Sequence, residues 1–237
     1  MTSAALFGWC LLLIVTEVLG RLGRAVGPRS STVVPVTTML TWQADDGHGL
    51  EGTRLHLGTA GAFRALSRMV RVHPDGDFTA SYRLVVGTDG TLERLSVTSA
   101  TAARERHLTI NRTDDGFWLL DRGSGGSDVR DDFGGALDVD LAYSPMLNTV
   151  PIRRLGLHRA VGEHSLTMVY VSLPELEVSQ VRQVYRTVSE LDDTGHALVE
   201  FRWDDVVAEL DVDADGVVTS YPGLARRLVT DTAPAHP

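Results

Sequence analysis

The sequence predicts a mainly antiparallel β domain over residues 39–237, with one or two short helices. Three observations predict it: turn dipeptides recur at short intervals, apolar and polar residues alternate between them, and no stretch sustains a helical period. "RMVRV" (68–72) and "FTASYRLVV" (78–86) flank "HPDGD", whose Asp75-Gly76 is a hairpin turn signal. "GTDGT" (87–91) then separates Leu84-Val85-Val86 from "LERLSV", "TDDG" (113–116) separates "HLTIN" from "FWLLD", and "DADG" (213–216) separates "VAELDV" from "VVTSY". The best helical stretches are short, "GAFRALSRM" (61–69) and "PGLARRLV" (222–229), and the Gly/Ser-rich "RGSGGSD" (122–128) reads as an exposed loop.

Alternation assigns faces. Phe78, Ala80, Tyr82, Leu84 and Val86 share one side of their strand, and Val181, Gln183, Tyr185 and Thr187 share one side of theirs. An inward face that mixes aromatic with polar groups suits an interior with room for an amphiphile, because a buried polar group left unpaired costs about 1–3 kcal/mol.

Charge and cysteine content exclude several functions. The net charge is −9, and residues 39–237 carry 19 Arg against 30 Asp and Glu, a balance that repels phosphate backbones and argues against nucleic acid. The single cysteine, Cys10, permits neither an internal disulfide nor a cysteine-built zinc site. Residues 1–38 stand apart from the domain. The apolar run at 4–20 is short for a spanning helix, is interrupted by Thr16 and Glu17, and has its arginines (Arg21, Arg24, Arg29) after it. It reads as a weak anchor, a signal, or a leader upstream of a true start at Met39. The expected location is the cytoplasm or, if 4–20 inserts, the cytoplasmic side of a membrane.

The motifs offer four candidate chemistries: calcium binding, a serine nucleophile, metal ligation by histidine, and acid–base catalysis. "DVDADG" (211–216) opens like a calcium loop, but its twelfth position is Pro222, so it reads as a hairpin turn. Ser124 and Ser127 do not fit a nucleophile elbow, and the histidines lack paired-ligand spacing. Asp138 and Asp140 in "ALDVDLAY" share a strand face opposite Leu137, Val139 and Leu141, a spacing that suits acid and base catalysis but reads first as a solvated face or as salt bridges to Arg153 and Arg154. "SPMLNTVPIRRL" (144–155), with Pro145 and Pro151, reads as a stiff connection tied to itself by Asn148 and Thr149. A strand resuming at "IRRLGL" would send Arg153 and Arg154 to opposite faces, so that one points inward and needs an acid (Asp138, Asp140 or Glu51) or a ligand head group.

"GALDVDLAYSPMLNTVPIRRLGL", "VSQVRQVYR" and "LDVDADGVVTSYPGLARRL", following "TW" and "LEGTRLHL", resemble the bacterial glycolipid-binding family from Met39 to Leu228. The resemblance implies an antiparallel spiral β-roll, a curved half-barrel around an apolar cavity, similar to the lipoprotein carriers of the bacterial envelope. It implies a lipid or glycolipid-like ligand, no cofactor and no metal. The positions that match are Trp42, Glu51, Tyr82, Asp138, Asp140, Asn148, Pro151, Arg153, Arg154, Gln183, Tyr185 and Tyr221, while Gly135-Ala136 stands where relatives would carry Gly-Cys. Two rivals remain: a hydrolase or isomerase using Glu51 or the Asp138/Asp140 pair beside an arginine, and an interaction module with a filled core and no ligand.

Overall fold

The computed structural model describes residues 36–123 and 129–229. Fifteen strands form one sheet. They are β1 (Val36–Ala44), β2 (Gly49–Leu57), β3 (Phe63–Arg71), β4 (Phe78–Val86), β5 (Leu92–Thr101), β6 (Glu105–Arg112), β7 (Trp118–Asp121), β8 (Val129–Asp131), β9 (Asp138–Leu141), β10 (Glu163–Val171), β11 (Val178–Ser189), β12 (His196–Trp203), β13 (Val206–Asp213), β14 (Val218–Tyr221) and β15 (Ala225–Arg227). In space the sheet runs from β8 back through β1, crosses to β15, and continues back to β9. Two meanders of sequential hairpins thus meet where β1 pairs with β15 (Trp42 opposite Arg227), and only β9 and β10 are parallel. The expected turns at 73–77, 87–91, 113–116 and 213–216 each join consecutive strands.

The two edges, β8 and β9, follow each other in sequence with six residues between them. Fifteen strands laid flat would separate those edges by roughly 65 Å, whereas six residues reach about 20 Å at most, so the sheet curls. It is the mainly antiparallel, curved β-roll that the sequence and its resemblance predict. Phe78, Ala80, Tyr82, Leu84 and Val86 are all buried, as are Gln183, Tyr185 and Thr187.

Inside the curve lies an α-helix, α1 (Pro145–Leu155), where the sequence predicts a non-helical connection and a resumed strand. The helix has a start and a stop: Pro145 sits in its first turn, and Gly156 ends it at φ 67 with its N–H on the Arg153 and Ile152 carbonyls. Every residue from Pro145 to Ile152 is buried, so no polar stripe marks a period. Met146, Leu147 and Val150 join a core with Trp42, Trp118, Phe63 and Leu84, and Ile152 joins a second with Tyr185, Phe201 and Leu210. The helix therefore links two apolar clusters. A different correction falls on 61–69 and 222–229, which are strands β3 and β15. In β3, buried Phe63, Ala65, Ser67 and Met69 alternate with exposed Arg64, Leu66, Arg68 and Val70, and pairing on both sides outweighs local helix preference. β1 begins at Val36, inside the segment assigned to the leader; residues 1–35 and the core of the Gly/Ser-rich stretch, 124–128, lie outside the described residues.

Gly216, in the β13–β14 turn, has φ +77, and a Cβ there would meet the Arg153 side chain at 2.8 Å and His158 at 3.0 Å. Gly216→Ala is expected to lower stability by about 1–3 kcal/mol in urea denaturation. An unchanged unfolding midpoint would show that the turn does not press on the end of α1.

Candidate functional site

Three polar clusters hang on α1, and each exists because a helix buried inside a curled sheet must satisfy its polar side chains without water. The first lies at its N-terminus. Ser144, the residue before the helix, makes no cap bond with its side chain; it donates instead to Glu51 Oε1 at 2.9 Å. Tyr82 (2.6 Å) and Ser67 (2.8 Å) donate to the same oxygen, and Thr53 donates to Ser67. Glu51 is 3% exposed, and among the described residues it has no ion pair and its Oε2 has no hydrogen-bond partner. Burial pushes its carboxyl above the usual range, opposed by the hydroxyl donors. Trp42 pairs across from Glu51 in the β1–β2 ladder and donates its indole N–H to the Val218 carbonyl at 2.9 Å.

One turn along the helix, Asn148 donates to Tyr185 Oη (2.9 Å), Tyr185 donates to Gln183 Oε1 (3.0 Å), and Gln183 donates to Asp140 Oδ2 (2.7 Å). The Leu141 N–H donates to the other oxygen of Asp140. Burial lifts the Asp140 carboxyl to about 6 against the bonds from Gln183 and Leu141. Tyr170, stacked 4.7 Å from Trp203, is pushed up to about 12 by burial and then by the charge of Asp140, and the same two causes raise Tyr221.

The third cluster is at the C-terminal end. Arg154 grips Asp138 with two parallel hydrogen bonds, Nε to Oδ1 at 3.0 Å and Nη2 to Oδ2. Burial raises the pKa of Asp138 while the guanidinium pulls it down. The solvated-face reading of Asp138 and Asp140 is thereby corrected: they are 1% and 8% exposed, because β9 lies under α1 and beside β10. The alternative, a salt bridge to Arg154, holds for Asp138; Asp140 takes an amide instead.

Arg153 and Arg154 do not point to opposite sides of a strand. As consecutive helical residues they stand about 100° apart, and both line one cavity of about 290 Å³. Its other walls are Arg159, His158, Val150, Phe63 and the turns at Ala60-Gly61 and Thr88-Asp89-Gly90. Arg153 lies over the Phe63 ring at 5.5 Å and donates to the Asp215 carbonyl, while Arg159 donates to the Ala214 carbonyl at 3.1 Å. Neither is in an ion pair among the described residues, although the Asp215 charge attracts Arg153 through space. His158 is 3% exposed, neither ring nitrogen makes a well-formed hydrogen bond among the described residues, and burial lowers its pKa against a weak contact with the Ile152 carbonyl.

Of the residues singled out in the sequence, the structure joins Glu51 with Tyr82, Asp138 with Arg154, and Asp140 with Gln183, Tyr185 and Asn148; Trp42 neighbours Glu51, Tyr221 packs on Phe201, and Arg153 lines the cavity beside Arg154. Sequence reasoning missed Ser67, Ser144, His158 and Arg159. Ser144 had a signal, its place directly before a proline that begins a helix; His158 and Arg159 carried none, because the chain reverses just before them.

The family described as "Putative glycolipid-binding" matches residues 39–227. A crystal structure of a DUF1089-family protein from Pseudomonas aeruginosa is similar at 29% identity and a TM-score of 0.61, covering 76% of this chain and 92% of that one. A β-barrel-like protein of the DUF1849 domain from Brucella abortus aligns at 11% identity and a TM-score of 0.43, covering 82% of this chain and 94% of that one. No curated protein matches the chain.

Asp140 supplies a pH test. Its carboxyl ionises near 3.8 when unfolded and near 6 when folded, so the native state holds an extra proton between those values. The resulting stability is complete below pH 3.8 and is lost as pH rises through 6, an effect on the order of 3 kcal/mol. In Asp140→Asn that component disappears. The stability difference between variant and wild type should therefore shift in the variant's favour between about pH 4 and 7.5 in chemical denaturation. A pH-independent offset would mean that Asp140 ionises normally in the fold.

Proposed function

Since the chain belongs to the family described as "Putative glycolipid-binding", we propose that it binds a lipid-like amphiphile and receives the polar head group in the cavity at the C-terminal end of α1. One observation carries the reading: a recess with Phe63 and Val150 on its apolar side, Arg153 and Arg159 free of ion pairs among the described residues, and a buried His158 whose ring nitrogens make no well-formed hydrogen bond among them. Guanidinium groups recognise planar or tetrahedral anions through paired N–H donors, and the neutral imidazole can give one N–H and accept one hydroxyl. A sugar bearing a phosphate or carboxylate matches that set. At about 290 Å³ the recess holds a head group, and an acyl chain would extend beyond it. Binding of this kind requires no cofactor.

A catalytic reading draws on Asp140, whose pKa near 6 suits a proton donor or acceptor close to neutral pH. Its oxygens are engaged by Gln183 and Leu141, so catalysis there would require that contact to open.

Purification of the full chain without denaturant, organic extraction and mass spectrometry test the binding reading. The expected result is a stoichiometric amphiphile with an anionic or glycosylated head, lost in Arg153→Gln/Arg159→Gln. A chain that yields no amphiphile and takes up none from a total bacterial lipid extract would overturn it; turnover that vanishes in Asp140→Asn with binding retained would establish the catalytic one.

A further inference from the structure

The outer side of the first meander carries a charge pattern that the rest of the molecule avoids. Alternation in β1–β5 turns Arg54, Arg64, Arg68, Arg83 and Arg94 to the outside, and all five are exposed. The register packs them closely: Arg54 stands opposite Leu66, Leu66 opposite Arg83, Arg64 opposite both His56 and Val85, and Val85 opposite Arg94. Directly opposed side chains have Cβ atoms about 5 Å apart, so the guanidinium groups form a checkerboard with aliphatic residues between them. The outward positions of these five strands hold no Asp or Glu; Glu93 sits in the bulge beside Arg94, at the margin. Among the described residues none of the five arginines is in an ion pair, and a depression of about 450 Å³ opens between Arg54, Arg64 and Arg83.

The second meander shows the opposite arrangement. There Arg186 meets Glu200 at 2.8 Å, Arg202 meets Glu163 at 2.8 Å, and Arg227 meets Asp213 at 2.7 Å. In a chain with a net charge of −9 carboxylates are plentiful, so a five-arginine surface without one leaves like charges to repel each other, which a polyanion would relieve. The aliphatic residues identify which polyanion. Met39 (68% exposed), Leu50 (46%), Leu66 (40%) and Val70 (53%) share that surface, and no Phe, Tyr or Trp of β1–β5 does. A nucleic acid would use stacking aromatics and repel the acidic remainder of the chain over its length. A bilayer of anionic lipids accepts guanidinium groups at its phosphates and aliphatic side chains just beneath them.

We infer that the outer surface of β1–β5 docks the protein on an anionic membrane. No described helix is long and apolar enough to cross a bilayer; the proposed contact is made by the outer faces of strands and lies along the membrane surface. The turns that join β2 to β3 and β4 to β5 also rim the cavity at the end of α1, so docking sets its mouth at the edge of the lipid surface. The inference goes beyond the head-group reading and does not depend on it.

The test is flotation of the full chain with phosphatidylcholine vesicles, with and without phosphatidylglycerol. Wild type should partition to the anionic vesicles and be released by high salt. Arg54→Gln/Arg64→Gln/Arg68→Gln/Arg83→Gln should weaken that partition by roughly tenfold or more, and Arg186→Gln/Arg202→Gln should leave it near wild type. A thermal melt of each variant confirms folding, which these exposed positions should preserve. Equal binding to neutral vesicles, or anionic binding unchanged in the four-site variant, would overturn the inference. So would failure to bind vesicles together with arginine-dependent binding to duplex DNA or to an acidic peptide. A four-site variant that loses vesicle binding but still co-purifies with its amphiphile would support docking and separate it from ligand capture.

Discussion

Six residues between the two edges of the sheet govern this fold. Asp132 to Leu137 carry the chain from β8 to β9, and that short tether joins strands that lie fourteen places apart in the sheet order. The sheet has to curl, and its curvature creates an inside. Two apolar clusters on the inner surface are too far apart to fill that space alone, and α1 fills it by giving Met146, Leu147 and Val150 to one and Ile152 to the other. A helix surrounded in this way has no solvated face. Each polar residue on it must therefore find a partner on the sheet, which is why Ser144, Asn148 and Arg154 meet Glu51, Tyr185 and Asp138 in turn.

The charges follow from the same enclosure. Asp138 keeps a counter-ion, whereas Glu51 and Asp140 receive only hydroxyl and amide donors, and for them the cost of desolvation raises the pKa. Cationic surplus goes to the end of the helix, where Arg153 and Arg159 rest on backbone carbonyls instead of carboxylates. Those guanidinium groups stay available to an outside anion because the protein has not neutralised them.

The hairpins and their faces were legible because they are local. A turn dipeptide and strict alternation suffice for "HPDGD" and "FTASYRLVV", and the resemblance supplied the curvature. α1 was not legible for an equally physical reason: residues buried on every side show no period, Pro151 within the helix argues against it, and Pro145 alone does not distinguish a helix start from a stiff loop. With the helix misread, the orientation of Arg153 and Arg154 was misread too. The Asp138–Arg154 pair survived because opposite charges within one segment offered it. The Asp140–Gln183–Tyr185 chain spans 45 positions of sequence and depends on β9 lying parallel to β10, which no local pattern encodes.

The shortness of the terminal strands has one more consequence. β8 has three residues and β9 four, the latter buried beneath α1, while each strand of eight or more residues has a partner on both sides over at least part of its length. A sheet this wide would ordinarily offer its unpaired backbone to another copy of itself, the route by which β proteins aggregate. Here the ladder tapers before it ends, and the final strand has no exposed edge long enough to template growth. Shortness at both ends thus limits where a second copy could extend the sheet.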